Sequence, residues 1–181
     1  MNLPNKKYNI IYADPPWAFN SKKSGGSMKS GALNKYPTMS IQELKDLAVG
    51  DIAADNCILV MWWVASQPQE AIDLCKAWGF RLTNMNGFVW NKLTAKGNPF
   101  FGMGHYTRAG SESALIGIKG KTRDNVTNRS VRAVRTARIG RHSAKPVEFA
   151  DDIVQMCGDK PRIELFARDK KEGWDNWGNE L

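Results

Sequence analysis

Asp14, Pro15, Pro16 and Trp17 stand in a row directly after Tyr8-Asn9-Ile10-Ile11-Tyr12-Ala13, a run of mostly β-branched, aromatic or small residues. The chemistry this order suits is methylation of an exocyclic amine on a planar base. The 6-amino lone pair of adenine is delocalised into its ring, and acceptors for both N–H donors help free it to attack a methyl sulfonium. Asp14 supplies one acceptor, and the carbonyl of Pro15, on a stiff backbone, supplies the second. Trp17 offers a flat face to the base, a contact worth about 1–3 kcal/mol where single strands stack on aromatics. The same four residues also read as a turn that ends a strand and partly buries an indole.

Placing that tetrapeptide takes a buried strand before it. Tyr8 to Ala13 have the character of one, and proline, lacking an N–H, stops the ladder at Asp14. A carboxylate at the C-terminal end of a central strand lies where open α/β sheets take their ligands. Ala18 to Lys35 then runs through Gly, Ser, Asn and Lys without a period and reads as a long loop or lid hanging off the acid. Tyr36 closes it, either beside a base or packed on the core.

Ser40 to Glu43 is a capping box that opens a short helix, with Ile41, Leu44 and Leu47 or Ala48 turned inward. Asn56 to Val64 is almost unbroken apolar sequence, a strand covered on both faces with Trp62 and Trp63 on opposite sides as core residues. Pro68 begins the next helix and Gly79 ends it. Phe80 to Trp90 makes a further strand. The loop from Leu93 to Gly110 interleaves aromatics and glycines with His105 and Arg108, which suits stacked bases and phosphate or a packed surface loop. Glu112 to Gly120 is a strand whose one acid stands at its start. Arg129, Arg132, Arg135, Arg138 and Arg141 recur every third residue, a step that cannot turn them all one way in helix or strand. The segment 121–140 therefore reads as a charged edge strand flanked by basic loop. Pro146 to Gly158 is the last helix and Pro161 to Ala167 the last strand.

These elements imply an α/β fold, a mostly parallel sheet with helices on both faces, in one domain of 181 residues. Hydrophobic residues at 42% and charged residues at 24% exclude a disordered chain. The net charge of +8 is concentrated: nine Lys or Arg face Asp124 alone between Lys119 and Lys145, which leaves 17 basic and 17 acidic residues elsewhere. Lys22, Lys23, Lys29 and Lys35 add a second acid-free stretch. Two basic segments, 18–35 and 119–145, thus flank the chemistry-bearing residues, as a rim guiding a polyanion would. No apolar run is long enough for a membrane span and the first seven residues lack a signal-peptide core, so a cytoplasmic protein is expected. Cys57, Cys75 and Cys157 sit in separate apolar runs, and His105 and His142 are isolated, so no metal is expected.

Five segments in order resemble the MT-A70 family of adenine N(6)-methyltransferases, in its bacterial and phage form. They are Asp14 to Trp17, Tyr36 to Ser40, Glu112 to Gly120, Ser143 to Pro146, and Ile163 to Arg168 leading to Gly173–Glu180. The resemblance implies a Rossmann-like, S-adenosylmethionine-dependent methyltransferase fold with a circularly permuted motif order, in which the last strand lies beside the one ending at Asp14. It implies a catalytic group of Asp14, Pro15, Pro16 and Trp17, and a substrate pocket near Tyr36, Trp90, Glu112 and Lys145. The cofactor, S-adenosyl-L-methionine, would be held by Asp14, Lys145, Phe166, Arg168, Asn179 and Glu180. Some eukaryotic members carry a histidine and an asparagine after the Phe-x-Arg, where this chain has Asp169-Lys170-Lys171, so those contacts do not transfer.

The activity implied is methyl transfer to the 6-amino group of adenine in nucleic acid, DNA ahead of RNA. The 4-amino group of cytosine is an equivalent acceptor, and the family also includes catalytically silent nucleic-acid-binding subunits. With no room for a separate recognition domain, specificity falls to the loops or to a partner in a homo- or hetero-oligomer.

Overall fold

Residues 2–18, 38–104, 106–121, 125–140, 144–179 and 181 are described by the structure, a computed structural model. Tyr8–Ala13 forms β1, all but one of its residues buried. It lies between two parallel neighbours, β2 (Ala53–Trp63) and β6 (Arg162–Leu165), so it is saturated with hydrogen bonds on both sides. The expected adjacency of the opening and closing strands is what the register shows, Ile10 opposite Arg162 and Ala13 opposite Leu165.

The remaining strands are β3 (Arg81–Leu93), β4 (Ser111–Lys119), β5 (Val134–Arg138) and β7 (Asp175–Trp177). They complete one sheet of seven in the order β5-β3-β4-β2-β1-β6-β7. Only β4 runs against its neighbours, pairing antiparallel with both β2 and β3; the other four pairings are parallel. The mostly parallel sheet is as expected, and β5 is the expected basic edge strand. Since β4 reverses direction twice over, β3 and β5 point the same way as β1. Their C-terminal ends share one edge of the sheet with Asp14.

Pleating divides the apolar residues between two cores. Ile11 and Ala13 of β1 and Cys57, Leu59 and Met61 of β2 face one of them. It is covered by α1 (Ile41–Asp46), α2 (Val49–Ile52) and α3 (Pro68–Ala77), through Leu44, Val49, Ile52, Ala71, Leu74 and Cys75. Ile10, Tyr12, Ile58, Val60 and Trp62 face the other, covered by α4 (Glu148–Cys157) through Phe149, Ala150, Ile153 and Cys157. Trp62 and Trp63 do fall on opposite sides.

Ser40 caps α1 with the full capping box, its side chain accepting from the Glu43 backbone while Glu43 accepts from the Ser40 backbone. Gly79 and Gly158 end α3 and α4 at φ of 84° and 81°, a backbone region that costs glycine little. Two features differ from the sequence reading. The stripe read as one short helix breaks after Asp46 and restarts as α2. The tail also adds a seventh strand, too short to show a period of its own.

The second core fixes α4, and with it the segment carrying Lys145 just before that helix. Phe149 stands edge-on to Trp62 at 5.0 Å and to Phe88 at 5.9 Å. Arg135 of β5 grips Asp152 with two hydrogen bonds of 2.7 and 2.5 Å. Phe149→Ala should therefore lower folding stability by about 3–5 kcal/mol, read as a shift of the urea midpoint, while Phe149→Leu, which keeps most of the volume, loses clearly less.

Candidate active site

At the end of β1 the backbone turns sharply. The Trp17 N–H donates to the Pro15 carbonyl at 2.9 Å, and the Met39 N–H donates to the Pro16 carbonyl at 2.9 Å. The turn leaves the Asp14 carboxylate partly open at the sheet edge. Its Oδ2 accepts from the Lys145 ammonium at 2.7 Å, and the same ammonium lies 3.2 Å from Oε2 of Glu112 at the start of β4. Glu112 is bonded on its other oxygen by Lys92 from the end of β3. Four charges from four separate segments thus form one chain, Asp14–Lys145–Glu112–Lys92.

Lys145, 9% exposed, is the most enclosed of the four. Burial works against its charge, but the carboxylates of Asp14 and Glu112 overcome that and hold its pKa above the ordinary lysine value. Burial would raise the Glu112 carboxyl; Lys145 and Lys92 outweigh it and hold the group below the usual value. The ammonium also stands 5.3 Å from the Trp62 ring centre, a cation–π contact.

Beside this chain opens a cavity of about 580 Å³, within the range of small-molecule sites. Asp14, Lys145, Phe166 and Arg168, four of the residues expected to hold a cofactor, line it together. Ala137, Pro146 and Val147 add apolar wall, Arg138 and Lys171 add cations, and Glu164 and Asp169 add carboxylates. Phe166 follows β6 at φ 61°, an uncommon conformation for a residue with a side chain, and its ring packs against Trp177 at 5.4 Å. Burial raises the Glu164 carboxyl above the usual range, and Lys171, bonded to it at 2.5 Å, only partly offsets that.

Other expected site residues fall elsewhere. Trp17 is 6% exposed and donates its indole N–H to the Trp62 carbonyl at 3.1 Å, so it serves as core, which corrects the role of open stacking face. Pro15 is also buried, and its carbonyl already accepts from Trp17, leaving one lone pair for a second donor. Trp90 is 3% exposed and donates to the Ala137 carbonyl at 2.9 Å; it supports Lys92, which lies 4.8 Å from its ring, and presents no face to a substrate. Asn179 is exposed in the turn after β7 and is not among the residues that line the cavity. Tyr36, Glu180, His105 and nearly all of the loop expected over 18–35 lie outside the described residues.

Sequence reasoning missed Lys92 and Glu164. A lone acid inside the otherwise apolar β6, and a lysine at the end of β3, were the available signals. Among the described residues no group of three or more His, Cys, Asp or Glu is placed to hold a metal ion. The three cysteines are buried free thiols, each pushed up by burial, Cys57 to about 12 and Cys75 and Cys157 to about 11.

A carboxylate at the C-terminal end of a central parallel strand, beside a cavity of mixed charge, is the arrangement of an S-adenosylmethionine-dependent methyltransferase. The chain belongs to the MT-A70 family, whose model matches residues 8–180. It is 39% identical over 99% of its length to the Type II methyltransferase M.MunI of Mycoplasma, of which it covers 80%. It is 26% identical to the human N(6)-adenine-specific methyltransferase METTL4 and 23% identical to the human N(6)-adenosine-methyltransferase catalytic subunit METTL3. It spans 38% and 28% of those two longer proteins.

The cavity fits S-adenosylmethionine by the chemistry of its walls. Phe166 offers an aromatic edge or face for a purine, Arg168, Lys171 and Arg138 suit a carboxylate, and Glu164 and Asp169 suit a cation or a diol. When bound, the cofactor supplies an electrophilic methyl group.

The charge chain also sets a pH dependence. For Glu112, whose folded pKa is lowered, its contribution is present above the ordinary value of 4.5 and lost as pH falls through the lower one. For Lys145, whose folded pKa is raised, the contribution is complete below the ordinary value of 10.5 and lost as pH rises through the higher one. Lys145→Met should cost about 1–3 kcal/mol at neutral pH, the carboxylates being partly open to water. It should also reduce the alkaline loss of stability without abolishing it, because Tyr8, Tyr12 and the three buried cysteines, all raised by burial, keep their own contributions, as read from urea midpoints of both proteins at neutral pH and near pH 11.

Proposed function

We propose that this methyltransferase acts on the 6-amino group of adenine, in DNA in preference to RNA. The observation that carries the reading is the Asp14 carboxylate, which lines the cavity and already receives an N–H donor, that of Lys145. An adenine amine placed there finds the same acceptor, and the free lone pair of the Pro15 carbonyl is the second. The name of one relative, an N(6)-adenine-specific methyltransferase, supports adenine as the base.

Asp14 orients the amine and polarises it. No strong base is needed before attack, because the amino nitrogen is neutral at neutral pH and its lone pair holds no proton; once the methyl–sulfur bond has broken and the methyl–nitrogen bond has formed, one of the two N–H protons leaves to water. Lys145, bonded to Asp14 and paired with Glu112 as well, holds the Asp14 carboxylate in place. Phe166 and Arg168 belong to the cofactor side, Glu112 to the acceptor side. The exposed arginines Arg129 and Arg132, with Arg138 at the cavity wall, supply the positive surface that a phosphate backbone follows. One catalytic domain, working in the reducing interior of a cell, alone or with a second subunit, is the setting this reading assumes. No helix among the described residues is long and apolar enough to cross a membrane.

Asp14→Ala should abolish transfer of labelled methyl, with at least about a hundredfold loss of rate, of the order of one lost transition-state contact. Cofactor binding by calorimetry should largely persist. Digestion of wild-type product to nucleosides should give N(6)-methyladenine. Label recovered as N(4)-methylcytosine, or near-normal turnover by the variant, would overturn the assignment.

A further inference from the structure

The segment between β3 and β4 is a compact finger that the chemistry above leaves unused. Its stem is closed by backbone hydrogen bonds, Lys92 to Gly110 at 2.8 Å, Phe100 to Lys92 at 3.0 Å and the reciprocal pair Gly102–Ala109 at 2.8 and 3.2 Å. The closeness depends on glycine: a Cβ at Gly102 would stand 2.5 Å from the Ala109 carbonyl oxygen. The tip then turns its largest apolar groups to water. Phe101 is 76% exposed, Met103 71%, and Tyr106 fully exposed at φ 64°. The Arg108 guanidinium covers the Phe101 ring at 5.0 Å. Isolated exposed hydrophobics need no account, but three within six residues do.

Position and charge indicate what the tip meets. Because β3 runs parallel to β1, the finger leaves the sheet at the edge that carries Asp14. Its base is tied to the active site by the Lys92–Glu112 contact. From Lys92 to Gly110 the sequence holds Lys92, Lys96 and Arg108 and no acid, so the finger is complementary to a polyanion. A finger packed on its own copy would set like charges together. An adenine inside a duplex cannot reach Asp14 while stacked, and inserted apolar side chains are a means by which proteins unstack base steps.

Resting on the DNA-adenine reading, we propose that Phe101 and Tyr106 form a wedge that enters the base stack beside the target adenine and holds open the gap it leaves, with Arg108 as the flanking cation. The wedge matters for duplex substrate and not for strands already unpaired.

The test compares wild type with Phe101→Ala/Tyr106→Ala and Phe101→Trp/Tyr106→Phe on linearised plasmid DNA free of adenine methylation, native and heat-denatured, with folding checked by circular dichroism. The alanine variant should lose about tenfold or more of methyl transfer to native duplex and less than about twofold to denatured strands. Calorimetric cofactor binding should be unchanged, and the aromatic variant should recover duplex activity. Equal loss on both substrates, no loss on duplex, or a drop from dimer to monomer in sedimentation that accompanies the loss would overturn the wedge. Wild type inactive on duplex but active on denatured strands would do the same. Wild type inactive on both would overturn the DNA reading itself, and the wedge with it.

Discussion

One ammonium group holds this molecule's working parts together. Lys145 lies between Asp14, which closes the first strand, and Glu112, which opens the fourth. Neither carboxylate is close to the other in sequence, and the lysine belongs to neither strand. A cation so enclosed is costly to desolvate unless its hydrogen bonds are met, and here two acids meet them. The packing of α4 behind it, through Phe149 on Trp62 and Arg135 on Asp152, fixes where that lysine can be. Site geometry and core packing are therefore one problem in this fold.

Lys145 gives the Asp14 carboxylate a fixed direction while leaving its edge partly open. The surrounding walls are mixed in character, with charged Glu164 and Lys171 and apolar Pro146 and Val147 among them. Such a cavity favours a ligand that carries both signs and a flat ring.

Much of the scaffold was legible in the sequence because its signals are local. The capping box at Ser40, the Pro68 start and Gly79 stop, and the apolar runs of β1 and β2 each follow from a few neighbouring residues. The arginine period also yielded an edge strand, since charge on a strand marks an unpaired side. What could not be read was the direction of individual side chains. Trp17 and Trp90 have the chemistry of stacking platforms, but each finds a carbonyl inside the protein, Trp62 and Ala137, and is drawn into the core. Lys92 and Glu164 were overlooked for the converse reason: their partners, Glu112 and Lys171, become neighbours only through pairing and loop geometry. The alliance of Asp14 with Lys145 spans 131 positions, and family resemblance, not spacing, put them in one pocket.

The seating of β1 between β2 and β6 has a bearing on how the protein is made. Ile10 pairs with Arg162, so a strand synthesised near the beginning must wait for one near the end before its second edge is closed. Long-range parallel pairings of this kind form late, since the intervening loop must be closed first. On the ribosome β1 can join β2 early, yet its other edge, with the carboxylate at its tip, stays unmatched until residue 165 has emerged. A nascent chain is then an incomplete sheet with no pocket, unable to modify the nucleic acid around it, and its open edge is the feature most exposed to mispairing with another chain.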